Sequence, residues 1–174
     1  IAGAGAGAVR SNGRFIAYYN YARIENNIQS VITKINQHIP QESKYTVDTN
    51  KDGIEYPVTI NVFSSVAGGT GSGMLVDTLC LVNKAMDALA LQFDLYPWIV
   101  LPEIFKALNS GPAMANVLYN SYGALRSLDY IQHLNPAQPA INFGYTKIEE
   151  RLFRYAYLIN NLNQAGVAFN KLDD

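Results

Sequence analysis

The sequence predicts an α/β fold with a mainly parallel sheet and helices on both faces, and three observations support this. Short apolar runs of strand length alternate with longer segments whose apolar residues recur at three- and four-residue spacing. A glycine-rich segment joins one of these runs directly to a helical segment, in the order that a parallel sheet requires. The 174 residues suffice for one domain with a substantial core, and the sequence shows neither an internal repeat nor a second domain.

The composition narrows the class of protein. Hydrophobic residues make up 49% and charged residues 16% of the chain, which excludes a solvated disordered segment. The net charge of −1 gives no reason to expect a nucleic acid or an anionic membrane as partner. No apolar run reaches the roughly 18 residues of a membrane span. The single cysteine, Cys80, cannot form an internal disulfide, so a reducing compartment such as the cytoplasm is expected.

The amino-terminal third of the chain predicts a long helix, a loop and a strand. Apolar residues recur with helical spacing over residues 14–38, which are therefore predicted to form one helix ended by Pro40. Residues 41–53 are polar, rich in turn-forming residues at their end, and predict a surface loop. Residues 56–66 contain an apolar run and predict a buried strand. The other predicted elements are a helix over 73–91, a strand over 95–101, a helix over 113–132, a loop over 135–142 and a strand over 153–159.

Residues 67–73, the glycine-rich segment, have a composition suited to binding phosphate. Glycines allow the backbone to approach an anion closely, and a helix that follows at once adds free amides and the positive end of its dipole. The hydroxyls of Thr70 and Ser72 are predicted to donate to phosphate oxygens. A Walker loop would end in Gly-Lys-Ser/Thr, and a dinucleotide fingerprint would read Gly-x-Gly-x-x-Gly with a later acidic residue. The segment matches neither pattern.

The glycine-rich segment resembles the signature Gly-Gly-Gly-Thr-Gly-Ser/Thr-Gly of tubulin and FtsZ. Residues Gly68 to Gly73 match six of its seven positions, and Ala67 replaces the first glycine. An earlier segment, residues 5–8 (called here the first segment), resembles a second phosphate loop of the family, with Gly13 and a long helix at the expected spacing. Ala8 stands where tubulin has asparagine, so the resemblance implies phosphate contacts from backbone amides of the first segment.

The resemblance extends to positions that bind the ribose and the base in tubulin. Tyr119-Asn120 is similar to a Tyr-Asn pair in the family, and on that alignment Val117 replaces a ribose-binding glutamate. Glu103 or Asn116 are the candidate substitutes. Near the end of the chain, the sequence Leu-Ile-Asn-Asn over 158–161 resembles the end of a tubulin strand whose asparagine recognises guanine. Asn161 is the matching residue, and an amide side chain can both donate to and accept from a purine edge.

The resemblance, which is closest to the bacterial tubulin-like proteins, implies that residues 1–174 are the central and C-terminal part of a tubulin-like nucleotide-binding domain. It implies binding of GTP or GDP, with or without Mg²⁺, self-association into filaments, and hydrolysis only in the intact polymer. No catalytic or metal-binding residue is assigned, since neither His38 nor His133 has ligands at metal spacing. The candidate ligand-binding residues are Gly5, Ala6, Gly7, Ala8, Gly68, Gly69, Thr70, Gly71, Ser72, Gly73 and Asn161.

Two other hypotheses stay open at this point. In one, the tubulin-like fold is kept as a structural or interaction domain and the nucleotide chemistry is lost, in line with Ala8, Ala67 and Val117. In the other, the chain belongs to an unrelated α/β enzyme that binds a different phosphorylated ligand through the glycine-rich segment.

Overall fold

The computed structural model describes residues 6–39, 48–50, 53–55, 58–91, 93–106, 111–134, 141–143 and 146–162. These residues form four α-helices, one short 3₁₀ helix and seven strands. In chain order they are α1 (Arg10–Tyr19), α2 (Tyr21–His38), β1 (Asp48–Asn50), β2 (Gly53–Glu55), β3 (Val58–Ser65), α3 (Gly69–Ala88), β4 (Phe93–Val100), the 3₁₀ helix (Pro102–Phe105), α4 (Gly111–Gln132), β5 (Ile141–Phe143), β6 (Thr146–Ile148) and β7 (Tyr157–Ile159).

The central sheet has three parallel strands in the order β3-β4-β7. This confirms the predicted α/β class and the parallel pairing of the first two long strands. The register aligns Ser65, Val100 and Ile159 at the carboxyl ends of the three strands. Segments that leave these strands therefore emerge along one edge of the sheet, the place where open α/β sheets bind ligands.

Several predicted boundaries differ from the structure. The single helix predicted over 14–38 is wrong, because α1 begins at Arg10 and Asn20 separates it from α2. The side chain of Asn20 donates to the carbonyl oxygen of Ile16 at 2.9 Å, a local bond that competes with regular helix geometry. The helix predicted from residue 73 begins at Gly69, so most of the glycine-rich segment lies within the first turns of α3.

The carboxyl-terminal strand is also shorter than predicted, since only Tyr157–Ile159 pairs with β4. Upstream of it, the side-chain amide of Gln132 donates to the carbonyl oxygen of Arg154 at 3.0 Å, so this part of the chain bonds to α4 instead of the sheet. Two antiparallel hairpins, β1-β2 and β5-β6, were not predicted and overlap the predicted loops over 41–53 and 135–142.

Helix α3 lies at the centre of the core. Its buried residues join one cluster with Leu95 and Ile99 of β4 and with Leu128 and Ile131 of α4. Within the described residues, the opposite face of the sheet is partly exposed to solvent. That face carries a row of stacked rings, formed by Phe63, Trp98 and Tyr157. Among the described helices, none is long and apolar enough to cross a membrane.

Candidate functional site

The first segment and the glycine-rich segment meet at the carboxyl edge of the sheet. The amide of Gly69 donates to the carbonyl oxygen of Gly7 at 3.0 Å, although more than 60 residues separate them in the chain. Beside this contact lies a cavity of about 360 Å³, which Gly7, Ala8, residues 67–71 and Ser65 line on one side. Phe105 and Val117 complete the lining with apolar surface. The structure thus brings together the two segments that the sequence predicted to share a ligand.

The amino terminus of α3 lies at this cavity, and two amides of its first turn have no hydrogen-bond acceptor among the described residues. Thr70 and Gly71 lie in the first turn, where amides have no acceptor within their own helix. The first turn holds no acidic residue, and Gly68, the N-cap residue, has no side chain to accept a bond. These amides and the positive end of the helix dipole form an environment that favours an anion.

The hydroxyls of the glycine-rich segment differ in their partners. Thr70 is exposed and lines the cavity, and its contact with phosphate stays a prediction. Ser72 is buried, and its hydroxyl donates to the carbonyl oxygen of Gly68 at 2.6 Å. Its amide also bonds to Gly68, and the amide of Gly69 is taken by Gly7. The first turn of α3 thus uses the Ser72 hydroxyl in this structure, and its donation to phosphate stays a prediction.

Most glycines of this region serve close packing. A Cβ atom added at Gly71 would collide with the carbonyl oxygen of Ser65, and one at Gly13 would collide with the carbonyl oxygen of Gly69. A Cβ at Gly73 would lie 2.5 Å from the carbonyl oxygen of Arg10. The sequence assigned Gly71 and Gly73 to close approach of an anion, whereas in the structure these two glycines and Gly13 let α3 approach β3 and α1.

Two glycines have open space around them. Apart from its chain neighbours, no atom of the described residues lies within 4 Å of a Cβ built at Gly68 or at Gly7, and both residues line the cavity. Gly7 has a φ of 55°, a conformation that side-chain-bearing residues adopt at a cost. Gly68 has a φ of −85°, which any residue adopts, so its lack of a side chain matters only for the space beside the cavity.

Arg10 is a positively charged residue behind the glycine-rich segment that the sequence reasoning missed. Its Nε donates to the carbonyl oxygen of Ser72 at 3.1 Å, and its terminal nitrogen donates to the hydroxyl of Ser127 at 3.0 Å. Arg10 thereby joins α1 to both α3 and α4. Burial lowers the pKa of its guanidinium, and the neighbouring positive charge of Arg14 lowers it further.

Asp77 of α3 lies beside these arginines. Its Oδ2 is 3.7 Å from Nε of Arg14, and its side chain is buried. Burial raises the pKa of Asp77 to about 6, while Arg14 and then Arg10 act in the opposite direction. Asp77 is thus within the electrostatic reach of two guanidinium groups, of which Arg14 is the one in ion-pair contact.

Asn120 of α4 is a second residue that connects the cavity walls. Its Oδ1 accepts from the amide of Arg10, and its Nδ2 donates to the carbonyl oxygens of Ala8 and Ala67, with all three distances 3.0 Å. The sequence marked Asn120 only as part of a family resemblance. A polar amide between the apolar residues of a predicted core helix was the signal that could have revealed a buried contact.

The remaining predicted residues lie at or near the same edge. Asn161 follows β7 and is half-buried, but it does not line the cavity beside the glycine-rich segment. Val117 does line it, at the position where the resemblance placed a ribose contact. Of the two suggested substitutes, Asn116 is exposed, and Oε2 of Glu103 is buried without a hydrogen-bond partner among the described residues. Gly5 lies outside the described residues.

Among the described residues, no three His, Cys, Asp or Glu side chains form a group that could hold a metal ion. His133 is exposed and lies 3.4 Å from a carboxylate oxygen of Asp129, one turn earlier in α4. A magnesium ion bound mainly by phosphates and water would need few protein ligands, so GTP with Mg²⁺ stays compatible with these side chains.

Comparison with known families identifies the chain. A family model described as "Tubulin like" matches residues 1–174. The chain belongs to the tubulin-like family. This membership confirms the resemblance drawn from the glycine-rich segment and removes the support for an unrelated α/β enzyme. Comparison of the tubulin-like chain with curated proteins and with solved structures gives no match.

Proposed function

We propose that this tubulin-like chain binds a guanine nucleotide, GTP or GDP, in the cavity between the first segment and the glycine-rich segment. The chain then represents the central and C-terminal part of a nucleotide-binding domain. In the intact protein the domain self-associates into filaments in the cytoplasm, as in bacterial relatives of tubulin. Hydrolysis of GTP takes place only in the polymer, where a neighbouring subunit supplies acidic residues.

The proposal rests on one observation. Helix α3 begins at a cavity that both the first segment and the glycine-rich segment line. The amides of Thr70 and Gly71 have no acceptor in their helix, and the exposed hydroxyl of Thr70 lies beside them. Arg10 adds positive charge behind this turn. Phosphate oxygens supply acceptors for the amides and negative charge for the helix dipole, so a phosphate group fits this environment.

The remaining lining favours a ligand with a less polar part next to its phosphates. Phe105 and Val117 provide apolar surface at the cavity, which suits the carbon atoms of a ribose. Asn161 follows β7 on the far side of β4 from the glycine-rich segment, at the same edge of the sheet. Adjacent strands lie about 4.8 Å apart, so phosphates at β3 and a base at β7 would be separated by roughly 10 Å.

A second function is favoured by the bonds already made inside the site. The amide of Gly69 already donates to the carbonyl oxygen of Gly7, and the hydroxyl of Ser72 already donates within α3. The side chain of Val117, which lines the cavity, has no polar atom to bond to a ribose. A tubulin-like domain that acts as a structural or interaction module, without bound nucleotide, would have these features. Binding measurements on the complete protein distinguish the two functions.

The test is a titration of the complete protein with GTP and with ATP, by calorimetry. The blocking variant is Gly68→Val, because the added side chain extends into open space beside the cavity and leaves the packing intact. Thr59→Val is the control, since it places the same side chain at an exposed position near the other end of β3. Asn161→Ala tests the base contact separately.

The nucleotide-binding function predicts that the wild type and Thr59→Val bind GTP equally. Gly68→Val should lose at least about tenfold in GTP affinity, and Asn161→Ala should reduce the preference for GTP over ATP, with roughly 1–3 kcal/mol lost with a buried polar contact. Absence of binding to the wild type would favour the structural function. An unchanged GTP affinity in a folded Gly68→Val variant would show that the ligand lies elsewhere.

A further inference from the structure

Asn120 makes an unusual set of contacts for a residue in the middle of a helix. It is only 5% exposed, and its side chain bonds to three backbone groups, each at 3.0 Å. The carbonyl of Ala8 belongs to the first segment, the carbonyl of Ala67 belongs to the glycine-rich segment, and the amide of Arg10 opens α1. One side chain therefore joins both walls of the cavity to α4.

These bonds use both hydrogens of the Asn120 amide and one of its oxygen lone pairs. A buried amide is stable only when such bonds are made, because its desolvation is otherwise uncompensated. Few side chains match all three partners, since an amide group alone combines two donors with an acceptor at this size. The two carbonyls and the amide are consequently held at distances that the geometry of one planar group determines.

The position of these bonds matters for the cavity. Ala8 and Ala67 both line it, and in the sequence Ala8 follows Gly7 directly while Ala67 lies two residues before Gly69. The two segments therefore have two connections, a direct backbone bond and the bridge through Asn120. A change in either connection would alter the separation of the amides on the two sides.

We propose that Asn120 is a positioning residue that sets the separation of the first segment from the glycine-rich segment, and thereby the affinity of the cavity for phosphate groups. The role in affinity rests on the proposed nucleotide-binding function, whereas the bridge between the segments does not. Asn120 acts through the backbone of Ala8 and Ala67, and its own side chain does not line the cavity.

The neighbouring Ser121 offers a matched control. It is equally buried, and its hydroxyl bonds to the carbonyl oxygens of Val117 and Val66, at 2.8 and 3.2 Å. Ser121 therefore ties α4 to the residue before the glycine-rich segment but makes no bond to the first segment. If burial and hydrogen bonding at this turn of α4 were all that mattered, Ser121→Ala and an Asn120 variant would have the same effect.

The experiment compares Asn120→Asp, Asn120→Ala and Ser121→Ala in the complete protein, with folding checked by circular dichroism. Asn120→Asp keeps the size of the side chain and the acceptor for the Arg10 amide, but it turns an oxygen toward the carbonyls of Ala8 and Ala67. Asn120→Ala removes all three bonds. Hydrogen exchange without nucleotide is measured at the amides of residues 6–10, and the affinities for GTP and GDP are measured by titration.

We expect faster exchange over residues 6–9 in both Asn120 variants and not in Ser121→Ala. The amide of Arg10 should lose protection in Asn120→Ala and keep it in Asn120→Asp. GTP and GDP affinity should fall about tenfold or more in both Asn120 variants, and less than about threefold in Ser121→Ala, as expected from the number of bonds lost.

Equal exchange over residues 6–9 in the wild type and a folded Asn120→Asp variant would overturn the bridge. Faster exchange with unchanged affinity would overturn its role in binding. If the wild type binds neither nucleotide, the proposed function fails, and the hydrogen exchange alone then decides whether Asn120 positions the two segments. If Asn120→Ala does not fold, Asn120→Asp gives the decision, since it preserves the volume of the side chain.

Discussion

Alanine at Gly71 is expected to destabilise the protein, whereas alanine at Gly68, three residues earlier, is expected to leave its stability nearly unchanged. Helix propensity alone predicts that Gly71→Ala stabilises the protein by up to about 1 kcal/mol, since Gly71 lies within α3. The structure predicts the opposite sign. A Cβ at Gly71 would collide with the carbonyl oxygen of Ser65 and lie 3.0 Å from the hydroxyl oxygen of Ser64.

The size of the effect follows from what would have to move. The colliding atom at Ser65 belongs to the backbone of β3, which is held in the sheet by pairing with β4. Relief requires a shift of the amino terminus of α3 by about 1 Å, which forfeits part of its packing contacts. Overpacking of this kind costs about 1–3 kcal/mol, and the gain in helix propensity of up to about 1 kcal/mol offsets part of it, so Gly71→Ala should lower the free energy of unfolding by up to about 2 kcal/mol.

Gly68→Ala is the matched comparison. Apart from its chain neighbours, no atom of the part of the chain that the structure describes lies within 4 Å of the added Cβ, and the backbone conformation suits alanine. Alanine is a poorer N-cap than glycine, but it also reduces the entropy of the unfolded chain, and these effects of about 0.5 kcal/mol each offset one another. Urea denaturation of the wild type and both variants measures the difference. A Gly71→Ala variant at least as stable as the wild type would refute the packing assigned to this glycine.

Two further predictions concern buried groups of α3. The pKa of Asp77 is raised from 3.8 to about 6, so the folded protein binds a proton more tightly than the unfolded chain, and the contribution of Asp77 to stability is greatest below pH 4 and is lost as the pH rises through 6. Asp77→Asn should remove this decline, worth about 1–2 kcal/mol after allowance for solvent screening, and parallel pH profiles of the unfolding free energy in both proteins would contradict it. Burial raises the pKa of Cys80 to about 12, so Cys80 should react with a thiol reagent at pH 8 only as fast as α3 opens. Rapid labelling of Cys80 in the native protein, followed by mass spectrometry, would show that the thiol is accessible.

The order of the main elements was predictable because it depends on local pattern. The apolar runs of β3 and β4 and the helical periodicity of α3 and α4 each extend over a few turns or one strand length, and the structure has elements close to those positions. The glycine-rich segment was recognisable for the same reason, since its signature is contiguous. This signature alone indicated the tubulin-like family, and the family match over residues 1–174 agrees.

The local pattern did not determine where elements begin and end. The helix is interrupted at Asn20, whose side chain bonds to the carbonyl oxygen of Ile16, although the apolar stripe continues past this residue. The spacing of apolar residues does not reveal such a bond. Most of the glycine-rich segment lies within the first turns of α3, although glycine is a weak helix former. Where α3 begins, Gly71 packs closely on β3 and Gly73 packs closely on α1. These contacts depend on segments that are distant in the sequence.

Only the tertiary structure revealed the contacts that individual residues make. From the sequence, Gly69, Gly71 and Gly73 were expected to give room to an anion, yet the atoms nearest to them belong to β3, α1 and the first segment. Asn120 bonds to residues 112 and 53 positions away, and Arg10 bonds to one 117 positions away. A sequence determines such contacts through the whole fold, because which groups become neighbours depends on how the helices pack on the sheet.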